Sequence, residues 1–186
     1  MRSSFLKVTV GPIFALTFYA LPLLSEICAS TASAETPSTA QEQVEKTAVD
    51  HALSEESDAF GRGDLSAIGQ HCNVPFVVIA SPTRSVAGAA TTGVKVLPTI
   101  AEIEAFYGGL LRDLRARGYS HSTRSELHVK LLDQTTALAS AVFVRHKTDG
   151  SELETIGATY VLRKTEGEWK IAVVMGHPPA NVIRAD

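Results

Sequence analysis

Residues 137–177 read ALASAVFVRHKTDGSELETIGATYVLRKTEGEWKIAVVMGH. Two turn dipeptides, Asp149-Gly150 and Glu166-Gly167, cut this stretch into three runs with strand-like alternation. Pairing outward from those turns puts Ala139, Ala141, Phe143 and Arg145 on one face. The middle run adds Glu154, Ile156, Ala158, Tyr160 and Leu162, and the last adds Trp169, Ile171, Val173, Met175 and His177. An apolar wall with three ionisable groups gathered at one end has the make-up of a pocket lining. The opposite face carries Val142, Val144, Thr155, Thr159, Val161, Ala172 and Val174, with few charges among them.

Upstream, Leu127, Val129 and Leu131 alternate with Glu126, His128 and Lys130, which predicts a further antiparallel strand. An odd-length turn around Gln134-Thr135-Thr136 brings its apolar residues onto the Ala139 face. A one-residue slip would bury His128 and Lys130, which is costly. Before it, Thr99 and Glu102 form a capping box for a long helix carrying Ile103, Phe106, Tyr107, Leu110, Leu111 and Leu114 at helical spacing. Either Phe106 or Tyr107 is its inward aromatic. Arg112, Arg115 and Arg117 read as a solvated face near its C-terminus. Val74 to Ala80 predicts a strand covered on both sides, Pro82 to Gly93 a small-residue loop, and Val94 to Leu97 a short strand. A first helix shows Val49, Leu53 and Phe60 along one face and ends at Gly61 and Gly63; Asp64 then caps a short second helix.

The chain has 186 residues, enough for one domain with a proper core. Its net charge of -3 and the lack of a Lys/Arg cluster argue against a nucleic-acid partner. Arg2 and Lys7 lead an apolar run from Val8 to Leu24, and Ala32-Ser33-Ala34 fits a cleavage signal. We read residues 1–34 as a signal peptide cut after Ala34, the alternative being an uncleaved anchor, and expect a periplasmic or secreted protein with no membrane contact after cleavage. Residues 35–43 form a flexible lead-in, 44–180 the domain and 181–186 a tail. Cys72 is then the only mature cysteine, either buried and inert or reactive, and no spaced His/Cys cluster supports a metal.

The Gly-Asp-Leu-Ser-Ala-Ile step at 63–68, the Val-rich strand after it, Asp149-Gly150 before a strand and Gly167-Glu168-Trp169-Lys170-Ile171 before the last one carry a resemblance. The chain resembles the nuclear-transport-factor-2-like superfamily, and in its ending SnoaL-like members, over roughly Val44 to His177. The resemblance implies an α+β fold: a curved antiparallel sheet wrapped around a long helix, a cystatin-like cone with an internal cavity. The opening face is then the concave wall. The resemblance further implies a homodimer through the back of the sheet, with Val142, Val144, Val161 and Val174 in the contact.

On that wall His177 and Glu154 are the candidate proton-transfer pair, and Arg145 the holder of an anion or polar group. The alternative is a cross-strand ion pair contributing ~0.2–1 kcal/mol. Tyr160 stands in the middle as a hydroxyl donor to a ligand or to the backbone, with Phe143, Ile156, Tyr107, Met175 and Trp169 as walls; Trp169 also reads as a core anchor. The superfamily's ketosteroid isomerase branch uses a buried carboxylate base, whereas the strand Pro75-Phe76-Val77-Val78-Ile79-Ala80 carries no acid. The expectation is an exported domain gripping a small apolar or aromatic molecule with a polar end, needing no cofactor. Acid–base chemistry at the rim and a non-catalytic interaction module are the other two readings.

Overall fold

A computed structural model describes residues 39–80 and 93–184. The signal segment, the start of the lead-in and nearly all of the small-residue loop lie outside the described residues. The elements follow as α1 (Thr39–Arg62), α2 (Leu65–His71), β1 (Cys72–Ala80), β2 (Gly93–Leu97), α3 (Ile100–Ala116), β3 (Tyr119–Leu131), β4 (Thr136–Lys147), β5 (Glu152–Thr165) and β6 (Glu168–His177). This is an α+β fold with one six-stranded sheet in the order β2-β1-β6-β5-β4-β3. α1 starts at Thr39, inside the stretch expected to be a flexible lead-in.

Local chemistry sets the ends of these elements. Thr99 caps α3, its hydroxyl accepting from Glu102 N–H (3.3 Å) and donating to the Glu102 carboxylate (2.8 Å). The Asp64 carboxylate accepts from Ala67 N–H and caps α2. Glu166 (φ 55°) and Gly167 (φ 88°) both take left-handed backbone, the turn whose twist matches a two-residue hairpin.

The predicted β3–β4–β5 register is the observed one. Leu127 faces Ala141, Val129 faces Ala139, and Ala139 pairs with Tyr160, Ala141 with Ala158, Phe143 with Ile156 and Arg145 with Glu154. The sheet is mixed, because β1 runs parallel to β6 and antiparallel to β2. β1 is buried on one face only: Phe76 and Val78 point inward, while Val77 and Ile79 lie half-buried on the outer face.

The last hairpin departs from strict alternation. Leu162 pairs with Ile171 but Val161 pairs with Val173, so Ala172 is an extra residue in β6. A one-residue bulge exchanges the faces of everything beyond it. Val174 and Gly176 therefore sit opposite Tyr160 and Ala158 on the concave side, and Val173, Met175 and His177 belong to the outer face. Met175 is thus not on the concave wall, and Val174 is not on the back.

After β6 the chain turns over the outer face. A single 3-10 turn, Pro179–Asn181, packs on β5, Val182 is buried, and Ile183 N–H donates to Ser140 Oγ (3.0 Å). This strap occupies part of the back face expected to be a dimer contact, and Val142 there is buried within the monomer.

Candidate functional site

α1 crosses the concave side of the sheet and buries Val49, Leu53, Glu56 and Phe60, spaced four, three and four residues apart. Glu56 occupies the core-facing stripe and is 7% exposed. α3 supplies Tyr107, also buried, with Phe106 half-buried beside it. Phe60, Phe76 and Phe106 surround the Tyr107 ring at centroid distances of 6.0, 6.1 and 5.5 Å. They fix its direction, and its phenol acts on the Glu56 carboxyl.

Between α1, α3 and the sheet lies a recess of about 90 Å³. Glu56 and Phe60, Phe106 and Tyr107, Phe143 and Arg145, Ile156 and Tyr160, and Val174 line it. That volume is below the ~300–1,000 Å³ of drug-sized ligand pockets. The walls are mostly apolar, and Glu56, Tyr107, Arg145 and Tyr160 reach it from four elements, beside Ser57, Ser122 and His177.

Their protonation states follow from burial. Loss of water raises the Glu56 carboxyl to about 7, against the partly compensating hydrogen bond from Tyr107. Burial, then the Glu56 charge, lifts the Tyr107 phenol well above its usual range, and Tyr160 is raised for the same two reasons. Cys72, buried behind them, is pushed up by burial and by Glu56; its thiol stays protonated and inert. Glu56 is thus the one carboxyl in the recess that exchanges a proton near neutrality.

At the rim, Arg145 Nη1 donates to Glu154 Oε1 (2.7 Å), and Arg117 reaches the same carboxylate through Nη1 (3.3 Å) and Nη2 (3.0 Å). Arg117, expected on a solvated face, therefore ties the end of α3 to β5. Burial works to raise the Glu154 carboxyl, but its bonds to Arg117 and Arg145 outweigh that and leave it below the usual carboxylate range. Arg145 is 7% exposed, and its Nε is buried with no hydrogen-bond partner among the described residues.

His177 has partners of its own. Nδ1 lies 2.8 Å from Pro178 O and Nε2 2.9 Å from Thr159 Oγ1. A carbonyl only accepts, so Nδ1 carries a proton, and in the neutral ring Nε2 accepts from Thr159. Thr159 Oγ1 is also 2.8 Å from Ser140 Oγ, the acceptor of Ile183 N–H, so His177 anchors the strap. The residue also borders the recess beside Gly157 and Gly176. The expected Glu154–His177 proton-transfer pair is therefore not assembled, each member being engaged elsewhere. Trp169 lies outside the recess lining; its Nε1 donates to Glu45 (2.8 Å), which also takes Lys164 (2.7 Å), so it anchors α1 to the sheet. Phe143, Ile156, Tyr160 and Tyr107 do line the recess, and Tyr107 rather than Phe106 is the more buried of the α3 pair.

Glu56 is the residue that reading by apolar pattern passes over. It stands three residues after Leu53 and four before Phe60, and that spacing alone puts it on the buried stripe. Among the described residues no group of three or more His, Cys, Asp or Glu side chains could hold a metal ion.

Solved structures share this architecture. An NTF-2-like protein of unknown function from Shewanella oneidensis MR-1 aligns at 17% identity over 71% of this chain and 98% of its own, with a TM-score of 0.54. A cystatin-like-fold protein of unknown function from Nostoc punctiforme aligns at 10% identity over 74% and 96% (TM-score 0.58). An NTF2-like protein with a cystatin-like fold from Novosphingobium aromaticivorans aligns at 13% over 79% and 94% (TM-score 0.57). No curated protein matches. Residues 42–179, from the first turn of α1 to the start of the strap, match the family described as NTF2-like protein (DUF6841), and the chain belongs to that family.

Proposed function

We propose that this chain is an exported small-molecule-binding domain that holds a compact, mainly apolar molecule by its polar end in the recess of the cone. The observation that carries the reading is the convergence of Glu56, Tyr107, Tyr160 and Arg145 on one apolar recess. Buried polar groups on an apolar wall are costly unless they meet a partner, and a ligand's polar end is such a partner. The test is a thermal-shift screen of the full chain with compact apolar molecules bearing one oxygen. Stabilisation that disappears in Ile156→Trp, which projects bulk into the recess, supports the reading. Absence of any shift across the library refutes it.

A second reading, acid–base catalysis, is favoured by Glu56, whose carboxyl titrates at about 7 and so suits proton transfer at neutral pH. It moves the chemistry from the rim pair Glu154 and His177 to the interior. A pH–rate profile with an inflection near 7 that Glu56→Gln abolishes selects this reading.

Export rests on the basic lead, the apolar run and Ala32-Ser33-Ala34. An N-terminus still at Met1 in protein recovered from outside the cytoplasm refutes cleavage. A homodimer through the outer face would use Val144 and Val161, with Val94 and Val96, 66% and 56% exposed, at its edge. A sedimentation coefficient unchanged in Val161→Asp refutes it.

A further inference from the structure

We infer that the recess takes a compact organic amine in its charged form, the ammonium held by the Glu56 carboxylate among the aromatic residues of the same lining. The inference rests on the ligand-binding reading and names the polar end of the ligand.

Glu56 is 7% exposed, and a glutamate this deep is ordinarily paired with a cation. Burial and the Tyr107 phenol act on its carboxyl, and no cation is among the groups that do. The Tyr107 hydroxyl has a single proton, which serves one carboxylate oxygen at most. Among the described residues the sealed side-chain atoms without a partner are Arg124 Nη1 and Arg145 Nε. The second Glu56 oxygen is not one of them, so it keeps accessible surface, and Glu56 lines the recess. Its charge is felt at Cys72, Tyr107, Tyr119 and Tyr160, which places it centrally among β1, α3, β3 and β5.

The other lining residues suit the same guest. Phe60, Phe106, Tyr107, Phe143 and Tyr160 surround the space, and aromatic rings attract a cation more strongly once water is excluded. Arg145 lies in the lining too, but its Nη1 is held on Glu154 and its charge acts on Tyr119 and Tyr160 rather than on Glu56. The Glu56 carboxyl is desolvated already in the folded chain, so binding adds only the desolvation of the guest. A neutral alcohol of the same shape enters without the charge attraction, and a carboxylate meets Glu56 as a like charge.

The experiment titrates the full chain with three probes that share a 2-methylpropyl group: isobutylamine, isobutanol and 2-methylbutane, followed by NMR at the Ile156 and Val174 methyls of the recess. At pH 8 the amine is expected to bind about tenfold more tightly than either of the others. At pH 5.5, where Glu56 holds its proton, that preference should disappear. Cys72 on β1, Tyr107 on α3, Tyr119 on β3 and Tyr160 on β5 are pushed upward, away from this pH range, and Arg145 on β4 and His177 on β6 also border the site. Glu56→Gln retains all six, and in it the amine should fall to the level of the alcohol or below at both pH values. An alcohol that binds the native chain as tightly as the amine at pH 8, or an amine preference that survives in Glu56→Gln or at pH 5.5, overturns the inference and leaves the ligand-binding reading standing. Binding of none of the three removes that reading and this inference together.

Discussion

Replacing Glu56 by Gln keeps the shape and a hydrogen-bonding group for Tyr107 while removing the charge. In the native chain the folded-state carboxyl titrates at about 7 against an ordinary 4.5, so the folded protein holds this proton more tightly than the unfolded one. Its contribution is complete below pH 4.5 and is lost as pH rises through 7. One pH unit of difference is worth ~1.4 kcal/mol, so native Glu56 costs about 1 kcal/mol at pH 5, about 2 at pH 6 and about 3 at pH 8. Because the side chain is fully buried, little of this is screened by water. Urea unfolding of both chains at pH 5, 6, 7 and 8 should therefore show Glu56→Gln gaining on the native chain by about 2 kcal/mol between pH 5 and pH 8. The other ionisable groups are common to both chains and cancel in the difference. A difference that stays flat within about 0.5 kcal/mol from pH 5 to 8 refutes the assignment of Glu56 as a carboxyl held near neutrality, and the catalytic reading then loses its acid.

Tyr107→Phe removes the hydroxyl that favours the Glu56 anion, so the carboxyl should titrate higher still, read by NMR of the labelled side chain. Glu154→Gln leaves the buried Arg145 guanidinium without its counter-ion and should cost about 2–3 kcal/mol after allowance for the partial exposure of Glu154. Arg117→Gln, at the exposed end of the same network, should cost under about 1 kcal/mol; equal losses in chemical denaturation would contradict this ranking. At Gly157 an added Cβ would lie 2.9 Å from Pro178 O and closer still to the His177 ring. Gly157→Ala should therefore lift the strap and expose residues 178–184 to proteolysis, and a cleavage pattern identical to the native chain would show that the His177 anchor yields without cost.

The meander was legible because its signals are local and redundant. Asp149-Gly150 and Glu166-Gly167 fix two turns, and Lys130 or His128 in the core would penalise any slip of β3, so one register survives. The bulge at Ala172 left no such trace. Ala172, Val173, Val174 and Met175 are apolar on both faces, and a shifted register leaves the pattern equally satisfied. The expected faces of Val173, Val174, Met175 and His177 were consequently exchanged. The Arg117–Glu154 pairing was not readable either, since its partners are 37 residues apart and meet only because α3 ends over β5. The C-terminal strap was hidden by its composition: residues 181–186 read as a tail, and what holds the strap is a polar relay through Ser140, Thr159 and His177 that no periodicity encodes.

Glu56 is a different kind of miss, and it bears most on function. The stripe Val49, Leu53, Phe60 was recognised by its apolar members, and the acid between them was passed over because it broke the pattern. A Leu or Met at position 56 would continue the stripe, fill part of the recess and avoid the ~3 kcal/mol that an ionised carboxyl costs there at neutral pH. Nothing else in the packing of α1 requires a carboxylate, since its ends and flanks are held by Glu45 on Trp169 and Lys164 and by Asp50 on Arg124. A residue that lowers stability, and that the helix does not need, sits where three rings aim a phenol at it and where the sheet brings Arg145 to the same recess. Departures from an otherwise consistent pattern concentrate at functional sites, so the break in the α1 stripe supports the proposal of a site inside the cone rather than at the rim cluster.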